Sequence, residues 1–137
     1  MRDQCVQIWI GRADDQAALD DLLSEDAFWT LDEAQQDHAP LTAFGRSQGL
    51  LWYDHDRLES GWVDATDPLG SPFSAYSYAE HWTPALSAFS EVHDLDNANC
   101  LIVYCSDDGA VQISDPRDVT APGILMRYVG AVTFPLK

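Results

Sequence analysis

A chain of 137 residues with 46% hydrophobic side chains, five tryptophans and a formal net charge of -16 has enough apolar material for one core and an unusually acidic surface. Seven Lys and Arg against 23 Asp and Glu make contact with a nucleic-acid backbone unfavourable, because such affinity comes mainly from neutralising phosphates. No apolar stretch approaches the roughly 20 residues a membrane helix needs, and MRDQCVQIWIG does not read as a secretory leader, so a cytoplasmic protein without membrane contact is expected.

Val6 to Gly11, VQIWIG, is rich in β-branched and aromatic residues and predicts a strand ending at Gly11. From Asp14 to Ser24 the acids suit a helix N-terminus, and Ala18, Leu19, Leu22 and Leu23 fall on one face, which predicts an amphipathic helix packed beside that strand. Two short helical pieces follow, around Leu31 to Gln36 and Pro40 to Ser47, with Pro40 suited to a first turn.

Leu50 to Tyr53 and Leu58 to Val63 read as strands joined by DHDR into a hairpin, since aspartates between apolar runs favour turns. Asp64 to Pro72 is a loop by its Pro and Gly content. Phe73 to Tyr78 predicts a turn or short helix, and Thr83 to Val92 a helix with Thr83 as N-cap and Pro84 first inside it. Asn99 to Cys105, NCLIVYC, has the continuous apolar character of a central strand covered on both faces. SDDG is then a turn, Ala110 to Ser114 a candidate returning strand, and Arg127 to Phe134 the last strand. The expected fold is α+β: a single domain spanning 1–137, its mostly antiparallel sheet covered by helices on one face.

The run WYDHD invites a metal reading, but adjacent residues in a strand point to opposite sides and in a turn splay apart, so Asp54, His55 and Asp56 do not converge on one ion. His38, His81 and His93 have no paired spacing with His55, and Cys5, Cys100 and Cys105 lack the spacing of a zinc or redox motif; they read as small buried hydrophobes. No metal and no cofactor is expected. Neither GxSxG, HExxH, a P-loop nor GxGxxG occurs, so no catalytic residue is assigned.

What the residues do support is a recognition surface, with rings beside acids on a hairpin. Tyr53, Tyr76 and Tyr78 are candidate anchors, Asp54, Asp56 and Glu59 candidate steering charges, and His55 and Glu80 complete the candidate partner-binding set. Trp52, Trp62 and Trp82 are read as core, and Asp54 and Asp56 have the alternative role of capping the turn.

In order, IWIG at Ile8 to Gly11, the acid-rich helix after it, WYDHD at Trp52 to Asp56, Ser77 and Tyr78, LIVY at Leu101 to Tyr104 and YVGAVTF at Tyr128 to Phe134 form a series that resembles the immunity protein 22 family. These are small inhibitors found beside bacterial polymorphic toxins. The resemblance implies a protein that binds and neutralises a cognate toxin domain without catalysis. The acidity agrees with a basic partner, such as a nuclease whose cleft the inhibitor fills as a phosphate mimic. A small enzyme of unknown reaction and an oligomeric interaction module are the alternatives. The first would lose a measurable activity on changing one His or Asp, and the second would self-associate.

Overall fold

The computed structural model describes residues 3–62, 82, 98–107 and 113–135. Among these, β1 (Asp3–Ala13), β2 (Leu58–Trp62), β3 (Cys100–Asp107), β4 (Val119–Ala121) and β5 (Ile124–Pro135) form an antiparallel sheet in the order β2-β3-β1-β5-β4. Helices α1 (Gln16–Leu23), α2 (Asp26–Trp29), α3 (Glu33–Gln36) and α4 (Ala43–Ser47) lie between β1 and β2 in the chain. The fold is a single domain, a curled antiparallel sheet with helices packed on one face.

Strand β1 lies at the centre of the order, and its alternation divides the core in two. Trp9 and Ala13 join Leu19 and Leu22 of α1, Phe44 of α4, and Cys100, Ile102 and Tyr104 of β3 on the helical face. Val6, Ile8 and Ile10 meet Leu101, Val103 and Cys105 of β3 on the other face, where Trp82 is also buried. Burial on both faces explains why β1 and β3 read as nearly continuous apolar runs rather than alternating ones.

One change of register switches which face of β5 is buried. Ile8 pairs with Gly130 while Trp9 pairs with Tyr128, so Val129 is the extra residue of a bulge and Gly130 takes a φ of 135°. An inserted residue reverses which side chains face which way. Ile124 and Met126 therefore face the helices, and Val129 and Phe134 the opposite cluster.

Gly11 does not end the first strand, as its composition suggests; β1 continues to Ala13. A Cβ at Gly11 would lie 2.0 Å from the Leu125 carbonyl oxygen, so the glycine permits the close passage of β5. Three buried amides then bind irregular or terminal backbone as a neighbouring strand would. Asn99 accepts from the Ala13 N–H at 2.8 Å and donates to its carbonyl at 2.9 Å. Gln7 holds both backbone groups of Ile113 at 3.1 and 2.9 Å, and Gln48 holds those of Arg117 at 2.7 and 2.8 Å. Each side chain thereby satisfies a backbone donor and acceptor together, buried at Ala13 and Ile113 and part-buried at Arg117.

Helix α1 begins at Gln16, capped by the Asp15 side chain on the Ala18 N–H at 3.0 Å, and buries Leu19 and Leu22 as their spacing requires. The Leu31 to Gln36 piece shrinks to α3, with Asp32 and Gln35 forming a reciprocal capping box. Pro40 lies before α4 instead of within its first turn. Thr42 is the N-cap there, accepting from the Gly45 N–H at 2.9 Å. Two elements were not expected: the single turn α2, and β4, which pairs with the extended start of β5.

The expected strand at Leu50 to Tyr53, and with it the hairpin, does not form. β2 instead pairs with β3, Leu58 opposite Tyr104 through Trp62 opposite Cys100. Ile113 and Ser114 are not in a strand; 110–112, like the expected helices at 73–78 and 83–92, lie outside the described residues.

Candidate functional site

The segment from Leu50 to Arg57 owes its shape to partners distant in sequence. The Leu50 N–H donates to Gly45 at 2.9 Å, and the Leu51 carbonyl accepts from the Leu41 N–H at 2.8 Å. Next, the Tyr53 hydroxyl is 2.9 Å from the Thr42 hydroxyl, and its ring meets Phe44 and Tyr104 edge-on, with centroids 5.7 and 6.1 Å apart. The Tyr104 hydroxyl then accepts from the Asp54 N–H at 3.1 Å. The Leu50 N–H and the Leu51 carbonyl are thus engaged by Gly45 and Leu41, and Leu50 to Tyr53 runs irregularly rather than as a strand.

Asp54 turns the chain. Its Oδ1 accepts from the Asp56 N–H at 3.2 Å, its carbonyl accepts from the Arg57 N–H at 3.1 Å, and Oδ2 lies 3.3 Å from Arg57 Nε. A short 3-10 turn at His55–Arg57 results and leads into β2. Asp54 thus has the capping role that its sequence allowed, while its side chain stays 42% exposed and Asp56 is exposed.

The candidate partner-binding residues fall in different places. Tyr53 is only 5% exposed, so it is a fixed interior wall and not the exposed anchor expected of it. Glu59 is half-buried in β2. The side chain of His55, together with Tyr76, Tyr78 and Glu80, lies outside the described residues.

Trp52, assigned to the core from its apolar neighbours, is 67% exposed, and Leu51 beside it is 52% exposed. Trp62 is half-buried against the helical face and Trp82 fully buried, as expected of core tryptophans. Trp52 and Tyr53 therefore hold each other's expected places. No local signal marked it: Leu50 and Tyr53 are turned inward by distant partners, and Leu51 and Trp52 are left outside.

Beside Trp52 opens a recess of about 190 Å³, lined by Leu50, Trp52, Tyr53, Asp54, Tyr104 and Ile113. Burial raises the Tyr53 phenol above its ordinary value, against the opposing effect of the Thr42 hydrogen bond. Tyr104 is likewise raised by burial, with the Asp54 N–H acting the other way. Both rings are neutral at physiological pH, and Asp54 is the acidic residue of the lining.

A larger groove of about 410 Å³ runs between α1, α2 and α4, with Asp21, Asp26, Phe28, Leu41 and Arg46 on its walls. Nearby Trp29 is 64% exposed; it packs edge-on against Phe28 and donates its indole N–H to Glu25 at 3.1 Å. This side is strongly acidic. Adjacent acids occur at Asp14–Asp15, Asp20–Asp21, Glu25–Asp26 and Asp32–Glu33, without a Lys or Arg between Asp14 and Asp37.

Among the described residues, no group of three or more His, Cys, Asp or Glu is placed to hold a metal ion, and no helix is long and apolar enough to cross a membrane. Cys5, Cys100 and Cys105 are buried as thiols inside the sheet. Burial pushes the Cys100 thiol up to about 12, far from the range of a reactive thiolate. Comparison of the chain with family models, with curated proteins and with solved structures gave no match.

Proposed function

We propose that this protein is a cytoplasmic inhibitor of the immunity type, which binds a cognate bacterial toxin domain and neutralises it by covering its active site, with no chemistry of its own. The observation that carries this reading is the distribution of charge. Acids from Asp14 to Asp37 include adjacent pairs with no Lys or Arg between them in sequence, Arg46 standing on the groove wall beside them, and the chain as a whole carries -16. Such a surface repels nucleic acid and attracts a basic protein, and long-range attraction of this kind raises encounter rates by about 10 to 10³-fold at low salt. A toxin that acts on nucleic acid needs a basic cleft, which matches this surface in sign.

The resemblance to the immunity protein 22 family adds to this reading, as does an exposed tryptophan beside two aspartates. Interfaces concentrate their energy in a few aromatic and arginine residues, with charges around them steering and selecting. Trp52 supplies the ring, and Asp54 and Asp56 supply the charge.

The direct test is genetic and biochemical. The reading frame upstream should encode a large secreted protein with a toxic C-terminal domain, and co-expressing the present chain should restore growth to cells making that domain. Continued killing despite soluble expression of both proteins would refute the proposal. Replacing Asp54 and Asp56 together by Ala is expected to weaken the complex by at least about 2 kcal/mol if the partner buries them.

A further inference from the structure

The recess beside Trp52 combines features that fit one kind of side chain. Three of its lining residues are the aromatic Trp52, Tyr53 and Tyr104, two are the aliphatic Leu50 and Ile113, and the remaining one is Asp54, whose side chain is 42% exposed. The two tyrosines are fixed, each by a hydroxyl contact and by their mutual edge-on packing, whereas Trp52 presents most of its indole to solvent. A carboxylate offers about four acceptor positions. Asp54 shows two contacts in use, the Asp56 N–H on Oδ1 and Arg57 on Oδ2.

The geometry points to this recess as the receptor for an arginine side chain projected by the protein partner. This rests on the reading of the chain as a protein-binding inhibitor. A guanidinium is flat, stacks on aromatic faces and keeps its N–H edge available for a carboxylate, while its three-carbon stem lies against apolar walls. An apolar plug would satisfy the rings but would desolvate Asp54 with no added donor. An anionic side chain would meet both Asp54 and the field of a -16 chain. The charge of the inserted group also matches the sign of partner that the whole surface attracts.

The test uses the full chain with a probe peptide, N-acetyl-Gly-Arg-Gly-amide, titrated against ¹⁵N-labelled protein, with the citrulline peptide as its neutral isostere. The Arg peptide should shift the Trp52 indole and the Asp54 and Asp56 amides saturably, and bind at least about tenfold more tightly than the citrulline peptide, a ratio equal to 1.4 kcal/mol. Asp54→Asn and Trp52→Ala should each remove that preference, and Trp29→Ala should leave it intact. Since Asp54 also shapes the turn, Trp52→Ala, at an exposed position, is the decisive variant if Asp54→Asn alters the fold.

Equal binding of the two peptides, shifts spread evenly over the acids between 14 and 37, or an unchanged preference in Trp52→Ala would each overturn the assignment. Neutralisation of a toxin by wild-type protein that lacks the peptide preference would sink the recess and leave the inhibitor reading standing. Peptide preference without any neutralisation would do the reverse.

Discussion

Strand β1 and the segment Leu50–Arg57 are both short stretches with a tryptophan among apolar neighbours, yet Trp9 is fully buried and Trp52 is 67% exposed. In β1 the shape comes from within: each residue alternates sides, both neighbours are strands, and Trp9 lies against Phe44 and Tyr128 with ring centroids 5.2 and 5.0 Å away. In the second segment the shape comes from outside, through Leu41, Thr42, Gly45 and Tyr104. Regular pairing commits every side chain to a face. Irregular anchoring commits Leu50 and Tyr53 inward and releases Leu51 and Trp52 to the surface.

This contrast can be broken most sharply at the buried tryptophan. Trp9→Ala is expected to cost about 3–5 kcal/mol of folding stability, the usual range for emptying a large core site. Denaturant unfolding measures it, and a loss near that of Trp52→Ala would erase the distinction between the two regions.

Asn99→Ala comes next. It strips the partner from both backbone groups of Ala13, although Trp62 Nε1 still approaches the Ala13 carbonyl at 3.3 Å. At about 1–3 kcal/mol for each buried group left unsatisfied, a loss of about 2–4 kcal/mol is expected. A loss under about 0.5 kcal/mol would show that the amide staples are incidental.

Alkaline titration adds a pH dependence from the helical face. The Cys100 thiol is raised from 9.0 to about 12, and burial raises Tyr53 and Tyr104 from 10.0. These acids lose their protons more easily when unfolded. Their contribution is therefore complete below pH 9.0 and declines as pH rises through 9.0 to about 12 for Cys100, and above 10.0 for the tyrosines. Unfolding midpoints measured against pH should fall over that window, and less steeply at its lower end in Cys100→Ala. A flat profile between pH 9.0 and 12 would contradict the burial of these groups.

The smallest stability effect is assigned to Trp52→Ala, within about 0.5 kcal/mol of wild type, because the indole is mostly in solvent. Its expected consequence lies in partner binding. A large destabilisation would mean that the ring supports the fold after all.

These differences also explain what was legible in the sequence. VQIWIG and NCLIVYC read as strands because burial on two faces leaves a dense β-branched run, RYVGAVTF reads as one from its aromatic and β-branched residues, and α1 reads as a helix from its leucine spacing and leading acids. LLWY carries the same composition, but what sets its conformation is a set of hydrogen bonds to residues near 41–45 and at 104, which no local pattern encodes. The bulge at Val129 was hidden for the same reason, since Gly130 alone hints at it. At the site, the Asp54 cap could be read from an aspartate two residues ahead of a needy N–H. The exchange of Tyr53 and Trp52 between surface and interior could not, because it depends on Thr42 and Phe44 being present to receive the phenol.

The most direct measurement is the association rate of this protein with the toxin domain proposed as its partner, followed from about 10 mM to about 150 mM salt, over which the screening length shrinks from about 30 to about 8 Å. Capture driven by the acidic surface predicts a rate that falls by at least about tenfold across that range. A rate that stays level while the complex still forms would contradict it.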